Sequence, residues 1–493
     1  SAPGGTVSIM AVPGEQFVRV SESGSLLSLE LPLATKNTLT TDAAPTTGLS
    51  LPQLLTGGNL SSATGVSVEN GVVRLTSSNT QISANPGSSI ASGKVAVAAS
   101  PNTVAAGGSV NILGETVRLV GATIDASGAK GGTVLVGGDY QGQGAVPRAK
   151  TTVVDSTTVI RADGMSDKAA ANGGKVIVWA DDATQFQGTI SARAGKMGGN
   201  GGLVETSGKR FLDITGGKVD ASAPKGLAGT WLLDPTDIEI RNVGIGTLNS
   251  GVFDPATTSP ATSWISPATI ENALNNGTSV AITTSSGTGG NGDITLVDSI
   301  NQTGGGNASL TLTGRRFLRN AGATISLTSS GDLTFNLNAV NPEVAPPSTS
   351  IQNAVDAIAS VPGNRTINPG TGAYQGNNAI DINKSVTIQG QSPNTTSIRN
   401  LGTLEAIRIT GGTGTNVKLI NLRIADSNNG GIYNSANLTI TNSQIQNNQA
   451  PQGGGIYNTA TGNLRIINTQ IQGNQSIAQG GGIFNLGTLT ISN

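Results

Sequence analysis

The feature that most constrains this chain is a short motif that returns: "GGIYN" at Gly430, "GGIYN" at Gly454 and "GGIFN" at Gly481, at steps of 24 and 27 residues. Between the copies lie "LTITNSQIQNN" from Leu438 and "LRIINTQIQGN" from Leu464, and "LTISN" from Leu489 opens another. A unit of that size, made of short alternating strands and turns, cannot bury an apolar face by itself, so its copies must stack. One strand laid over its counterpart in the next coil pairs in parallel about 4.8 Å away. Ile, Leu and Val then form inward columns, Asn at the bends bonds to the copies above and below, and Gly fits where a coil needs a positive φ. The expected fold is an all-β, right-handed parallel β-helix, its hand following from the crossover rule.

A second repeat precedes it. Ile124-Asp125-Ala126, Ile160-Arg161-Ala162, Ile190-Ser191-Ala192 and Val219-Asp220-Ala221 recur at steps of 36, 30 and 29 residues. Each is followed by a glycine-led strand, from Gly131, Gly173, Gly201 and Gly229. Short alternating segments such as Thr6 to Ile9, Val66 to Val68, Val95 to Val97 and Asp293 to Val297 read as strands. Helical spacing is confined to Thr269–Leu274 and to Ile351, Ala354, Val355 and Ile358, at i, i+3, i+4 and i+7. These signals predict two β-helical segments: residues 1–241; an irregular transition or cap over 242–340; a Pro-rich linker, 341–349; and a second β-helix, 350–493. The amphipathic turn at Ile351 is expected to cap the open end of that second helix, where bare strand edges would otherwise pair with other chains.

Composition removes several functions. There are 28 Lys and Arg against 29 Asp and Glu, a formal net charge of -1, which offers no basic footprint for nucleic acid or an anionic membrane. Cys and His are both 0, which excludes disulfides, thiolate nucleophiles, imidazole bases and the usual zinc, copper and haem ligand sets. No run approaches the ~18 apolar residues of a membrane span. No Walker A or dinucleotide fingerprint is present, so no nucleotide or other cofactor is expected.

The stretch from Gly173 to Ile240, above all "LLDPTDIEI", resembles the region that follows the secretion domain in filamentous-haemagglutinin-like exoproteins of two-partner secretion, especially large cyanobacterial ones. "GATIDASGAKGGTVLVGGDYQGQG" from Gly121 and "GGTVSIMAVPGEQFVRVSESGSLLSLEL" from Gly4 are similar to the same family, so the resemblance spans roughly Gly4 to Leu337. Residues 350 to 493 resemble pectate-lyase-like β-helix repeats of bacterial surface proteins. The family's signal peptide and amino-terminal secretion domain are not in this sequence, which implies an internal piece of a larger exoprotein. The resemblance further implies export through an outer-membrane transporter partner and a secreted, cell-surface location.

Many bacterial β-helices cleave polysaccharides, which requires clustered acids beside Arg or Lys. From Ile351 onward the acids are Asp356, Asp381, Glu405 and Asp426, and they do not recur at the coil period. Asp181-Asp182 reads as a solvated turn. "TGGNGDITL", Thr288 to Leu296, approaches a calcium nonapeptide but occurs once and is one residue short, so a Gly-Asn turn is expected and no metal. Trp231 is expected to pack inward or into a cap. Strand alternation sets Ile432, Ile456 and Ile483 inward and Tyr433, Tyr457 and Phe484 outward, as a stripe either of stacking aromatics or of contact residues. The expected protein is therefore an adhesin-like, non-enzymatic surface protein whose rigid rod displays binding surface to glycans or proteins of host or neighbouring cells. Two alternatives stand beside it: the passive stalk of a toxin- or protease-delivering exoprotein, and a polysaccharide-degrading β-helix.

Overall fold

The computed structural model describes residues 2–11, 87–100, 104–242, 262–286, 290–328, 330–338, 348–359 and 363–493, and the backbone of five short strands between residues 17 and 82. It is all-β, and its long ladders are parallel β-helix ladders. Two compact units are present, one reaching Leu232 and the other opening at Leu233.

In the first unit, Thr6–Met10, Ser109–Leu113, Thr133–Val136, Lys175–Ala180 and Leu203–Gly208 pair in parallel, and Thr230 to Leu232 continue the ladder. Val110, Val134, Val176, Val204 and Trp231 fall in register down this ladder, and all five are fully buried. Trp231 thus packs inward, its indole N–H donating to Thr206 Oγ1 at 2.9 Å. On a second wall Ile124, Ile160, Ile190 and Val219 form the matching column.

The Ala that follows each of these closes the corner. The carbonyls of Ala126, Ala162, Ala192 and Ala221 accept from the amides of Gly132, Gly174, Gly202 and Gly229 at 2.7 to 2.8 Å. That is why the repeat reads apolar-x-Ala and then glycine: successive coils touch backbone to backbone there.

The strands between residues 17 and 82 depart from the expected stacking. Phe17–Ser21 pairs with Ser28–Pro32, and Gly65–Glu69 with Val72–Thr76 and then Gln81–Ile82, all antiparallel. Strands separated by so short a connection close on each other as hairpins, whereas a parallel partner requires a full coil of intervening chain.

The second unit carries its longest ladder from Ser279–Thr283 through Leu310–Gly314, Leu333–Leu337, Arg365–Pro369, Val386–Gln389, Asn416–Ile420, Asn437–Thr441 and Asn463–Ile467 to Thr488–Ser492. Its inward column runs Ile282, Leu312, Phe335, Ile367, Ile388, Leu419, Ile440, Ile466 and Ile491 without a register break. Ile491, in the last coil, is 62% exposed; burying each of the others is worth about 1.5 to 3 kcal/mol before the cost of ordering the chain.

Two expectations fail here. Over 262–286, 290–328 and 330–338 the chain runs as ladder strands, with the helix Pro267–Asn275 between two of them, rather than as an irregular transition, because their apolar spacing feeds the same column; residues 243–261 of that segment, and 339–347, most of the Pro-rich stretch, lie outside the described residues. Nor does the helix Ser348–Ala357 cap an open end, since Leu333–Leu337 pairs directly with Arg365–Pro369. The helix is an excursion from one coil. Its apolar face, Ile351, Ala354 and Val355, is fully buried, and Ile358 just after it makes a parallel bridge to Ile325. The carbonyl of Ile358 accepts from Lys384 Nζ at 2.6 Å, and burial pushes that ammonium below its ordinary pKa. The other helix, Pro267–Asn275, starts on the N-cap Ser266 and buries Ile270, Ala273 and Leu274.

Bends in the later coils are set by residues that tolerate left-handed backbone. Asn421, Asn442 and Asn468, at φ of 57, 50 and 42°, occupy one corner column. Asp426, Asn447 and Gly473, at 59, 56 and 64°, occupy the next. Buried Asn434 donates to buried Asn458 at 2.8 Å, and Asn458 to Asn485, exposed in the last coil, at 2.6 Å, forming an amide ladder from coil to coil.

Candidate contact surface

The strands Ile380–Ile382, Ile407–Ile409, Ile432–Asn434, Ile456–Asn458 and Ile483–Asn485 form one parallel sheet. Because each is three residues long with both ends turned inward, only its middle residue faces out. Those middle residues are Asp381, Arg408, Tyr433, Tyr457 and Phe484, in register one above the next. Ile432 and Ile456 are buried and Tyr433 and Tyr457 half-buried, as alternation requires, whereas in the last coil Ile483 and Phe484 are both half-buried.

The rings of Tyr433 and Tyr457 are parallel within 8°, with centroids 5.5 Å apart; Phe484 follows at 5.3 Å, tilted by 41°. Two coplanar rings lying side by side cannot approach so closely, so the tyrosines overlap as an offset stack. The guanidinium of Arg408 sits 5.3 Å from the Tyr433 centroid on the coil below. Ring faces are therefore largely spent on one another, and the column offers solvent its edges and its phenol hydroxyls. Alongside it, Gln452 and Gln479 are exposed, and the following glycines, Gly453 and Gly480, abut the backbone of Tyr457 and Phe484.

The acids from Ile351 onward are held by arginines. Glu405 binds Arg408 at 2.8 Å and Asp381 lies 3.9 Å from the same guanidinium, while Asp426 binds Arg423 and Asp356 binds Arg319, both at 3.1 Å. Spacing along the chain did not reveal that Asp381 and Glu405 converge on one arginine. The usable signal was the coil register, which places residue 381 opposite 408. Asp381 and Glu405 thus form a small acid cluster about Arg408.

Two sequence candidates elsewhere resolve as structural devices. Asp181 and Asp182 are more than a solvated turn: Asp181 accepts from the Trp179 indole N–H at 3.1 Å and pairs with Arg148, and Asp182 pairs with Arg210. In the calcium-like turn, of which Thr288 and Gly289 lie outside the described residues, the carboxylate of Asp237 accepts from the amides of Asn291, Gly292 and Asp293 at 2.7 to 3.0 Å. Asp293 in turn binds Arg316. A carboxylate committed to three N–H groups faces the wrong way for a cation. Among the described residues no group of three or more His, Cys, Asp or Glu is placed to hold a metal ion. Excess EDTA is accordingly expected to leave the thermal midpoint unchanged, and a fall of several degrees that calcium reverses would contradict this.

Compared with known protein families and with curated proteins, the chain matches none of them.

Proposed function

We propose that this is a secreted or surface-exposed, adhesin-like structural protein, brought out through an outer-membrane transporter partner, whose stacked coils hold a contact surface toward glycans or proteins of another cell. The observation that supports this reading best is the outward column of Tyr433, Tyr457 and Phe484. Stacked aromatics fixed on a sheet lose little side-chain freedom on contact, and amphipathic rings supply apolar area with a polar tip. Exposed amides of Gln452 and Gln479 beside them add hydrogen-bonding capacity without charge, which suits a wet, adaptable contact.

The test is direct. Binding of the purified protein to cells, or to glycans and proteins stripped from them, is compared with that of the Tyr433→Ser, Tyr457→Ser double variant. Loss of two anchoring rings should weaken binding at least tenfold, about 1.4 kcal/mol, with the far-ultraviolet circular dichroism spectrum unchanged. Equal binding by the two proteins would remove the contact role and leave the rings as interlocking parts of a passive stalk.

A further inference from the structure

We propose that Tyr433 and Tyr457 form an oxidative cross-linking site, at which a one-electron oxidant such as a peroxide-charged haem peroxidase couples the two rings into a dityrosine and joins one coil covalently to the next.

The chain has no Cys, so no disulfide can tie its coils together, whereas phenol rings can form an oxidative carbon–carbon link. Of its four tyrosines, Tyr374 is buried with its hydroxyl donating to the Leu337 carbonyl, and Tyr140 packs against the cluster around Trp179. Tyr433 and Tyr457 alone stack on each other, half-exposed, in paired strands. Among the described residues neither of their hydroxyls makes a hydrogen bond that would have to be broken before coupling.

The geometry supplies what the coupling needs. The two rings are parallel within 8° with centroids 5.5 Å apart, so the carbons flanking each phenol oxygen lie on neighbouring rings of one column and must close the gap between them to couple. Strand pairing holds the backbones at about 4.8 Å, so the rings need only a side-chain rotation to meet. Each phenol gives up one proton and one electron, producing two phenoxyl radicals. These join through their ortho carbons, and the hydrogen on each joined carbon then returns to oxygen as the rings regain aromaticity. The balance is two tyrosines and one hydrogen peroxide giving one dityrosine and two waters. Phe484 has no phenol and ends the reactive column. Because the pair spans 24 residues, the product also closes a loop of that length, which constrains the unfolded chain as a disulfide would.

The full chain is treated with horseradish peroxidase and hydrogen peroxide, the monomer fraction is isolated, and dityrosine is read by its fluorescence and by mapping proteolytic peptides. The expected result is one cross-linked pair, the peptide with Tyr433 joined to that with Tyr457, lighter than their sum by two hydrogen atoms. Tyr433→Phe and Tyr457→Phe keep the stacked rings and the fold but lack the phenol, so each should cut the monomer fluorescence at least tenfold. Unfolding the wild type in urea before oxidation should lower the yield several-fold. The proposal is overturned if folded monomer carries no such link, if the signal survives in either Phe variant, or if the unfolded chain couples as well as the folded one.

Discussion

Gly173→Ala is expected to destabilise the first unit by roughly 3 kcal/mol or more, at or beyond the upper end of ordinary overpacking. A Cβ at this position would overlap the carbonyl oxygen of Ala192 and the amide nitrogen of Gly202. Neither can move aside. The Ala192 carbonyl accepts from Gly202 at 2.8 Å, and Gly202 belongs to the next coil of the same ladder. The same overlap is repeated at Gly131 with Ala162 and at Gly201 with Ala221, so a local shift would be passed along the stack. Against a typical total of 5 to 15 kcal/mol, a loss of this size should lower the urea midpoint sharply and raise amide exchange in the strands Thr133–Val136, Lys175–Ala180 and Leu203–Gly208. Gly414→Ala is the control, having no atom within 4 Å and an ordinary φ. It should be neutral or slightly stabilising. If Gly173→Ala unfolds with the same midpoint as Gly414→Ala, backbone contact at the Ala-Gly-Gly corner is not what the repeat conserves from coil to coil.

Much of this architecture is legible in the sequence because a coil carries its own period. The isoleucines of "GGIYN" and "GGIFN" recur at the coil spacing, and a strand of three residues leaves one outward position, so Tyr433, Tyr457 and Phe484 follow without coordinates. What was hidden is whatever joins coils whose sequences do not match. Ile282, Leu312, Phe335 and Ile367 stand in one column, yet they recur at uneven steps of 30, 23 and 32 residues and share little beyond a Thr before the last three, so residues 262–338 looked irregular. Phe317 against Phe335, edge to face at 4.8 Å, shows how such coils pack by volume rather than by repetition.

A second blind spot is the outer face of the first unit. "KVIVWA" is apolar on both faces, the mark of a strand covered on both sides. Leu135, Ile177 and Trp179 indeed point away from the coil interior into a separate buried cluster with Tyr140 and Val146. The segment that covers them is glycine-rich because it must press on the indole: at Gly142, φ is +64° and a Cβ would overlap the Trp179 ring. Alternation alone assigns such residues to solvent. The doubly apolar strand followed by "GGDYQGQG"-type glycines was the available clue.

The turn at Gly290 to Leu296 shows how a motif that approaches a metal site can be completed by the protein instead. A loop that gathers consecutive backbone N–H groups on one side makes a concavity suited to an anion. Here Asp237, within the "LLDPTDIEI" segment and 9% exposed, fills it: one carboxylate oxygen takes Gly292 at 2.7 Å and Asp293 at 2.8 Å, and both oxygens lie 3.0 Å from the Asn291 amide. Gly292 and Asp293 are buried, so no water replaces a lost acceptor. Each buried amide left without a partner costs about 1 to 3 kcal/mol, and Asp237→Ala should therefore lower stability by roughly 2 to 5 kcal/mol. Asp237→Asn keeps one oxygen but turns an NH2 group toward donors, and should fall between the two. Added calcium should rescue neither, because the lost contact is with N–H groups. The measurement is hydrogen exchange at the Gly292 and Asp293 amides together with the thermal midpoint. Protection of those two amides should drop in the order wild type, Asn, Ala; if the Ala variant protects them as the wild type does, the carboxylate is not what holds the turn closed.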